Sequence, residues 1–580
     1  MGEREERMII VEIGSANTKA ILLQAKGGSL QLEAVAEAPT TVEPPRLDVT
    51  EGVEAAVKRL EAESGERLWG DDGPKVKFLC SSGDAGGLYM IVAGVIGMIS
   101  RESAERAALG AGAHLLDAFS KDDKRPNYVL VEAMRSNRPD IFLLAGGTDG
   151  GAVNQVLELA TIIAKSDVRP RFGEGFKLPV IFAGNVEVRK QVSDALREDR
   201  YATRAVANVR PDIDRENLGP AKEAIYDSYM EHVIVHAPGY DKLAHMVKGQ
   251  ILPSQAAIGK ALYAYAESRD INLLAADVGS ATTDIYSVYN GVFNRSLNAE
   301  VGLTYGILNV LKVAGVDALS RWLPYELNEK EVRNIAANLM ALQPERLTPE
   351  EEAVRDAAAR EAIKLSVELH KRIASRLKGI VIKRTIADTF SQSLEETHVD
   401  MAKTQAIVAR GKAFEGPEET SALILLDALE PVGVTQFMYD PELLVPHAGI
   451  LLDYNKDAAV KLLSERILRS IGTCVCPKGK IDSDGALTIK LRSTDLAATE
   501  TVPSGEIKTI PLKAGEMAEL EATPSGRLDL GRGRGKTVKS VVTGGSLGLI
   551  IDARGRPLPP PKRDQQRKWL LALATGRGGA

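Results

Sequence analysis

A strand–turn–strand pattern occurs twice in this chain of 580 residues, and the repetition limits the folds open to it. The better formed copy is Leu273-Leu-Ala-Ala-Asp-Val-Gly-Ser-Ala-Thr-Thr-Asp-Ile-Tyr-Ser-Val288. An apolar run ends in an aspartate, a glycine follows two residues later, and small hydroxyl side chains lead into a second β-prone run. Near the N-terminus stands Met8-Ile-Ile-Val-Glu-Ile-Gly-Ser-Ala-Asn-Thr-Lys-Ala-Ile-Leu-Leu23. When Glu12 is set on Asp277, Gly14 falls on Gly279, Ser15 on Ser280, Ala16 on Ala281 and Thr18 on Thr283. Two such hairpins predict two lobes facing each other across one phosphate.

Each residue type has a chemical reason to be there. A glycine permits the tight turn and lets backbone approach an anion closely. The hydroxyls of Ser15, Thr18, Ser280, Thr282 and Thr283, with Asn17, are candidate donors to phosphate oxygens, and Lys19 adds a cationic contact. Glu12 and Asp277 are candidate ligands for Mg²⁺. That ion keeps several waters and takes one or two carboxylates together with phosphate, and it neutralises charge on a transferred phosphoryl group.

The rest of the chain excludes several classes. A net charge of −6 argues against a nucleic-acid footprint. The arginine–glycine run Gly531-Arg-Gly-Arg-Gly-Lys536 therefore reads as a cationic loop. Three cysteines, Cys80, Cys474 and Cys476, are too few for a disulfide scaffold and form no C-x-x-C pair. The longest apolar run, Leu88 to Ile99, is about half of the roughly 20 residues a membrane helix needs. The charged start, Met1-Gly-Glu-Arg-Glu-Glu-Arg7, is not a signal peptide. These features predict a cytoplasmic protein without membrane or nucleic-acid partners, and they leave oligomeric assembly open.

Organisation follows from periodicity. Residues 1–74 hold the first hairpin and a helix over Val53–Ser64. From 75 to 210 short apolar strands alternate with helices, which predicts a Rossmann-like parallel sheet. Two of its strands end in Ala145-Gly-Gly-Thr-Asp-Gly-Gly151 and Ala183-Gly-Asn185. These are either anion-binding loops or simply tight turns into helices. Residues 211–470 hold the second hairpin, a strongly helical stretch at 327–395 and a short strand at Gln405–Ala409. Residues 471–580 read as a small all-β domain and tail.

Several segments resemble the MutL family associated with glutamate mutase, which is distinct from the mismatch-repair protein of the same name. They are Asp140-Ile-Phe-Leu-Leu-Ala-Gly-Gly-Thr-Asp-Gly-Gly151, Val180-Ile-Phe-Ala-Gly-Asn185, Ala275–Asp284, Leu425-Leu-Asp-Ala-Leu-Glu-Pro-Val-Gly-Val434 and Leu549-Ile-Ile-Asp-Ala-Arg-Gly-Arg-Pro557. The paired hairpins themselves resemble the phosphate motifs of the actin, Hsp70 and sugar-kinase superfamily. The resemblance implies a two-lobed α/β ATPase core with an inserted Rossmann-like domain and a small C-terminal β domain. It implies ATP and Mg²⁺ as cofactors, slow ATP hydrolysis, and a partner that is an adenosylcobalamin-dependent mutase. Its proposed role is a reactivating factor that releases damaged cobalamin. On this resemblance Glu12, Asp277 and Glu300 are the catalytic candidates, and Gly411 belongs to the adenosine loop. The chain departs from the pattern at Glu12, where aspartate is usual, at Glu300, and at Arg410-Gly-Lys412, where a glycine-rich loop is expected. No D-x-H-x-x-G cobalamin signature is present, so the chain is not itself the mutase. A metabolite kinase, with Glu300 or Asp284 as base, and a nucleotide-sensing scaffold without turnover are the alternatives. Dehydratase activators share the fold but need an iron–sulfur cluster, which three cysteines cannot supply.

Overall fold

Strand β1 (Arg7–Ile13) is apolar on both faces, and Met8 through Val11 are completely buried. A strand of that composition belongs inside a sheet covered on both sides. In the computed structural model β1 pairs antiparallel with β2 (Asn17–Lys26), and β2 pairs with β3 (Ser29–Pro39). On its other edge β1 takes β4 (Lys77–Ser82) in parallel. The structure describes residues 7–26, 29–70, 73–83, 88–171, 173, 175–247, 251–342, 346–375, 377, 397–480, 485–494, 496–525, 527–559, 561 and 563–575.

The chain divides into two compact units. The first comprises Met1–Ala264, Ser375–Glu396 and Val445–Leu463, and the second Tyr265–Ala374, Thr397–Leu444 and Ser464–Ala580. In the first unit, the helix Val49–Ser64 covers the hairpin sheet with Val53, Ala56, Val57 and Leu60, the face its spacing predicts. Asp48 caps its start by accepting from the Thr50 N–H at 3.0 Å, and Gly65, at φ 71°, ends it.

A second sheet in this unit is wholly parallel. It contains β5 (Tyr89–Gly94), β6 (His114–Ser120), β7 (Ile141–Leu144), β8 (Leu178–Phe182) and β9 (Tyr201–Ala205), in the spatial order β9-β8-β7-β5-β6. Alternating strands and helices predict such a sheet, and it has formed. The first sheet is completed by β10 (Leu252–Pro253), which adds to β4 in parallel.

The second unit repeats the first sheet. Strands β11 (Leu273–Val278), β12 (Thr283–Tyr289) and β13 (Val292–Asn298) form an antiparallel meander. Strands β14 (Ala406–Arg410) and β15 (Gly433–Tyr439) then add in parallel beside β11. Counted within each sheet, the five strands of the first and the first five of the second have the same order, 3-2-1-4-5, with the same directions at every pairing. This is the duplicated plan of the actin, Hsp70 and sugar-kinase superfamily, so the expected fold class is the one observed.

The C-terminal strands do not all form a sheet of their own. Strand β16 (Arg469–Cys476) pairs antiparallel with β15. Strands β17 (Ala486–Arg492), β18 (Ala497–Pro503), β20 (Met517–Pro524) and β21 (Val538–Thr543) make a separate four-stranded antiparallel sheet. Strands β19 (Ile507–Ile510) and β22 (Leu549–Asp552) instead join β16 and extend the second unit's sheet to eight strands. Apolar alternation marks a strand but does not say which sheet receives it. The expected helix ends near Ile373 within the described residues, and the predicted stretch 378–395 lies outside them.

Buried charge fixes the C-terminal segment to this unit. Asp427, completely buried on the helix Glu418–Leu429, accepts from Arg360 Nε at 2.8 Å and from Arg554 Nη1 at 2.7 Å. Arg554 also holds Asp552 through two hydrogen bonds of 2.8 Å, and Arg556 adds a third. The Trp569 ring lies 4.4 Å from the Arg554 guanidinium. Burial pushes the Asp552 carboxyl up, but Arg554 and Arg556 outweigh it and hold it below the usual carboxylate range. Removing one member of such a network leaves the others unpaired in a dry interior. Asp427→Ala is expected to lose about 3–5 kcal/mol of stability, read from urea unfolding midpoints at constant m.

His370 is completely buried between two hydroxyls. Nδ1 lies 2.9 Å from Ser296 Oγ and Nε2 lies 2.8 Å from Ser287 Oγ. Burial lowers its pKa to about 3. The unfolded chain therefore binds a proton near pH 6.5 that the folded chain refuses. Stability is full above that pH and falls as pH drops from about 6.5 towards 3. His370→Gln is expected to flatten this dependence, measured as melting temperature against pH.

Candidate functional site

The two hairpin turns are closed by the same bond. Gly14 N–H donates to Asn17 O at 2.9 Å, and Gly279 N–H donates to Thr282 O at 2.9 Å. A Cβ on Gly14 would meet Asn17 O at 2.8 Å, which explains the glycine. The aligned residues thus make one local structure in two places.

In the first unit, Ser15, Ala16 and Asn17 are exposed at the tip, and Gly14 and Glu12 are partly so. Glu12 stands opposite Lys19 in the register, and Lys19 Nζ lies 3.7 Å from Glu37 Oε2. Gly83 N–H donates to Ile13 O at 2.7 Å and continues β4 alongside the turn. Burial and the nearby Glu12 carboxylate push the Cys80 thiol far up, so it is inert, as its isolation predicts. His447 Nε2 is 3.3 Å from Lys19 O, so the helix Val445–Leu451 backs the second hairpin strand.

Thr18 and Thr283 correct the expectation that both donate to phosphate. Both are completely buried. Thr18 Oγ1 is 3.0 Å from Thr40 Oγ1, which in turn donates to Gly14 O at 2.8 Å. Thr283 Oγ1 donates to Val301 O at 2.8 Å. Side chains alternate across a strand, and these positions fall on the inner face. Their hydroxyls hold the turns from within. Ser15, Ser280 and Thr282 remain accessible.

In the second unit, the loop from Asn298 to Gly306 folds over the turn. Leu303 N–H donates to Gly279 O at 3.0 Å and Thr304 N–H to Ser280 O at 2.8 Å. A Cβ on Gly302 would fall 2.5 Å from the Ala281 carbonyl carbon, so only glycine allows this approach. Glu300 is exposed on the same loop. Asp284 accepts from Arg295 Nε at 2.8 Å and is ion-paired with Nη2 at 2.7 Å, and both side chains are buried. A carboxylate so paired is not a general base, which removes one of the two bases a kinase would use.

Sequence reasoning singled out Arg410 but missed its pairing with Asp277, and it missed Asp440 altogether. Strand β14 runs parallel to β11 and places Arg410 beside Asp277. Arg410 Nη1 donates to Asp277 Oδ2, and its Nε donates to Asp440 Oδ2 at 3.3 Å. Asp440, buried after β15, also accepts the Leu444 N–H at 2.8 Å. Gly411, at φ 91°, follows at once, and a Cβ there would meet Asp277 Oδ1 at 2.6 Å. The available signal is position. Arg410 and Asp440 each end an apolar strand that lies parallel to the one carrying Asp277.

Among the described residues no group of three or more His, Cys, Asp or Glu side chains is placed to hold a metal. No described helix is long and apolar enough to cross a membrane.

Fold and turns together define a protein of the duplicated actin-like class. The chain belongs to the MutL family of the type associated with glutamate mutase: the family described as MutL protein matches residues 8–467. Protein MutL of Clostridium tetanomorphum is 26% identical over 489 residues, covering 80% of this chain and 99% of the relative. Among solved structures, nucleotide-free acetone carboxylase aligns at 11% identity and TM-score 0.31, over 87% of this chain and 81% of that one. Glycerol dehydratase reactivase aligns at 11% identity and TM-score 0.27, over 73% and 95%. Xylulose kinase from Bifidobacterium adolescentis aligns at 12% identity and TM-score 0.28, over 81% and 96%. Similarity this distant leaves the fold resting on the repeated strand order.

Gly411→Ala forces a side chain into a left-handed position and against Asp277. It is expected to destabilise by at least about 1–3 kcal/mol, seen as a lower denaturation midpoint, and more than Gly505→Ala, which has open space around it.

Proposed function

We propose that this protein is an ATP-dependent reactivating factor for an adenosylcobalamin-dependent mutase of the glutamate mutase or aminomutase type. In this role it releases damaged cobalamin so that intact cofactor can rebind. The observation that carries the reading is the twin glycine-closed turn, each beside a carboxylate, in a chain of the MutL family. Backbone N–H groups and the hydroxyls of Ser15, Ser280 and Thr282 bind phosphate oxygens of ATP. Glu12 and Asp277 would hold Mg²⁺ through water. That ion, when bound, neutralises charge on the phosphates. The kinase alternative is weaker, because Asp284 is consumed by Arg295 and only exposed Glu300 remains as a base.

Arg410 sets the state of Asp277. Its guanidinium compensates the carboxylate that the metal would otherwise meet. In this reading Arg410, held by Asp440, would also supply a cationic contact to a phosphate oxygen once Mg²⁺ occupied Asp277.

Isothermal titration tests nucleotide binding directly. Wild type is expected to bind Mg·ATP, and Asp277→Ala to bind it at least tenfold more weakly, about 1.4 kcal/mol. Absence of binding by wild type would sink the reading. Arg410→Ala leaves Asp277 uncompensated. Its ATP affinity in EDTA is expected to fall about tenfold and to recover on adding Mg²⁺. The partner is tested with a mutase carrying damaged cobalamin. Corrinoid passing a filter should require both this protein and ATP, and equal release without ATP would refute the role.

A further inference from the structure

The wholly parallel sheet of the first unit has a feature independent of the hairpins. In its own chain order the strands lie 2-1-3-4-5: the chain passes from β5 outward to β6, then returns to the other side of β5 to form β7. Connections that leave neighbouring strands in opposite directions open a crevice at the strands' carboxyl ends, and ligands of open α/β sheets bind there. Strands β5 and β7 make that switch point here.

A cavity of about 200 Å³ lies at this place. After β5 the chain supplies Val95, Ile96, Ile99 and Ser100, and after β7 it supplies Gly147, Thr148 and Ala152. Gly146 allows the two loops to meet, since a Cβ there would strike Val95 Cγ2 at 2.4 Å. Ile213 closes one side, held by Arg210 Nε donating to Ile213 O at 3.0 Å. Arg210 is thus engaged in shaping the wall.

The lining chooses the ligand's chemistry. Three N–H donors at the end of the Ala145–Gly151 loop are already taken: Asp149 N–H goes to Pro211 O, Gly150 N–H to Asn185 Oδ1 and Gly151 N–H to Thr148 O. The walls are mainly aliphatic, and Ile96 and Ile213 stand 45% and 44% exposed. Such side chains gain by being covered. One polar edge remains: Thr148 lines the cavity, its hydroxyl lies next to Gly151, and among the described residues nothing hydrogen-bonds it. An apolar cavity of about 150 Å³ takes a benzene ring, so this one suits a flat ring of bicyclic size with an acceptor on one edge.

We propose that this cavity is a binding site for a planar bicyclic heteroaromatic base, with the aliphatic side chains against its faces and Thr148 donating to a ring nitrogen. The base reaches the site either as part of a nucleotide or as the benzimidazole of a corrinoid. The site does not depend on ATP binding at the hairpins.

Saturation-transfer NMR with benzimidazole and with adenine tests this on the full chain. Transfer to at least one base is expected with wild type and is expected to be lost with Ala152→Phe, which fills the cavity. Ile213→Trp, at the exposed mouth, should also abolish it and serves where the inner variant does not fold. Transfer to benzimidazole alone assigns the corrinoid source, and to adenine alone the nucleotide source. No transfer to either base with wild type, or transfer that survives in the folded variants, overturns the proposal.

Discussion

The second unit depends on a carboxylate that cannot be solvated. Asp427 lies in a dry interior, and two guanidinium groups reach it from opposite directions along the chain, Arg360 from before and Arg554 from after. Desolvating so many charges is costly, and the attraction recovers that cost only when every member is in place. The arrangement therefore selects one position for the segment Leu549–Pro557 and excludes others. These residues build the unit; they do not touch the candidate nucleotide site.

The hairpins are more local. A glycine, a carboxylate two residues before it and apolar runs on each side suffice to specify the turn, because the bond that closes it lies within the segment. This is why alignment of Glu12 with Asp277 found two identical turn closures. The same alignment misassigned Thr18 and Thr283, because it matched residue types without counting which face each would take. Strand alternation from Glu12 and Asp277 was the missing step.

Non-local facts were less legible. Arg410 was visible as an oddity in a loop expected to be glycine-rich, but its partners became clear only when β14 lay beside β11 in register. The C-terminal strands share composition and alternation, yet two belong to the long sheet and four to the short one. Their destinations are set by Asp427, Asp552 and the Arg554 bridge, contacts between residues far apart in sequence. The Rossmann-like sheet was predicted from alternating elements, whereas its 2-1-3-4-5 order, and with it the switch-point cavity, required the pairing of β5 with both neighbours.

The late position of β22 has a consequence for synthesis. Strand β16 is made well before β22, and its outer edge, with N–H and C=O groups aimed at a missing neighbour, stays open in the interval. At about 5–20 residues per second the gap lasts several seconds, during which an unpaired strand edge invites pairing with another chain. The nascent second unit thus passes through a stage in which its longest sheet is aggregation-prone. Ribosome-associated chaperones, or slow emergence of β16, would govern its yield more than the stability of the finished protein.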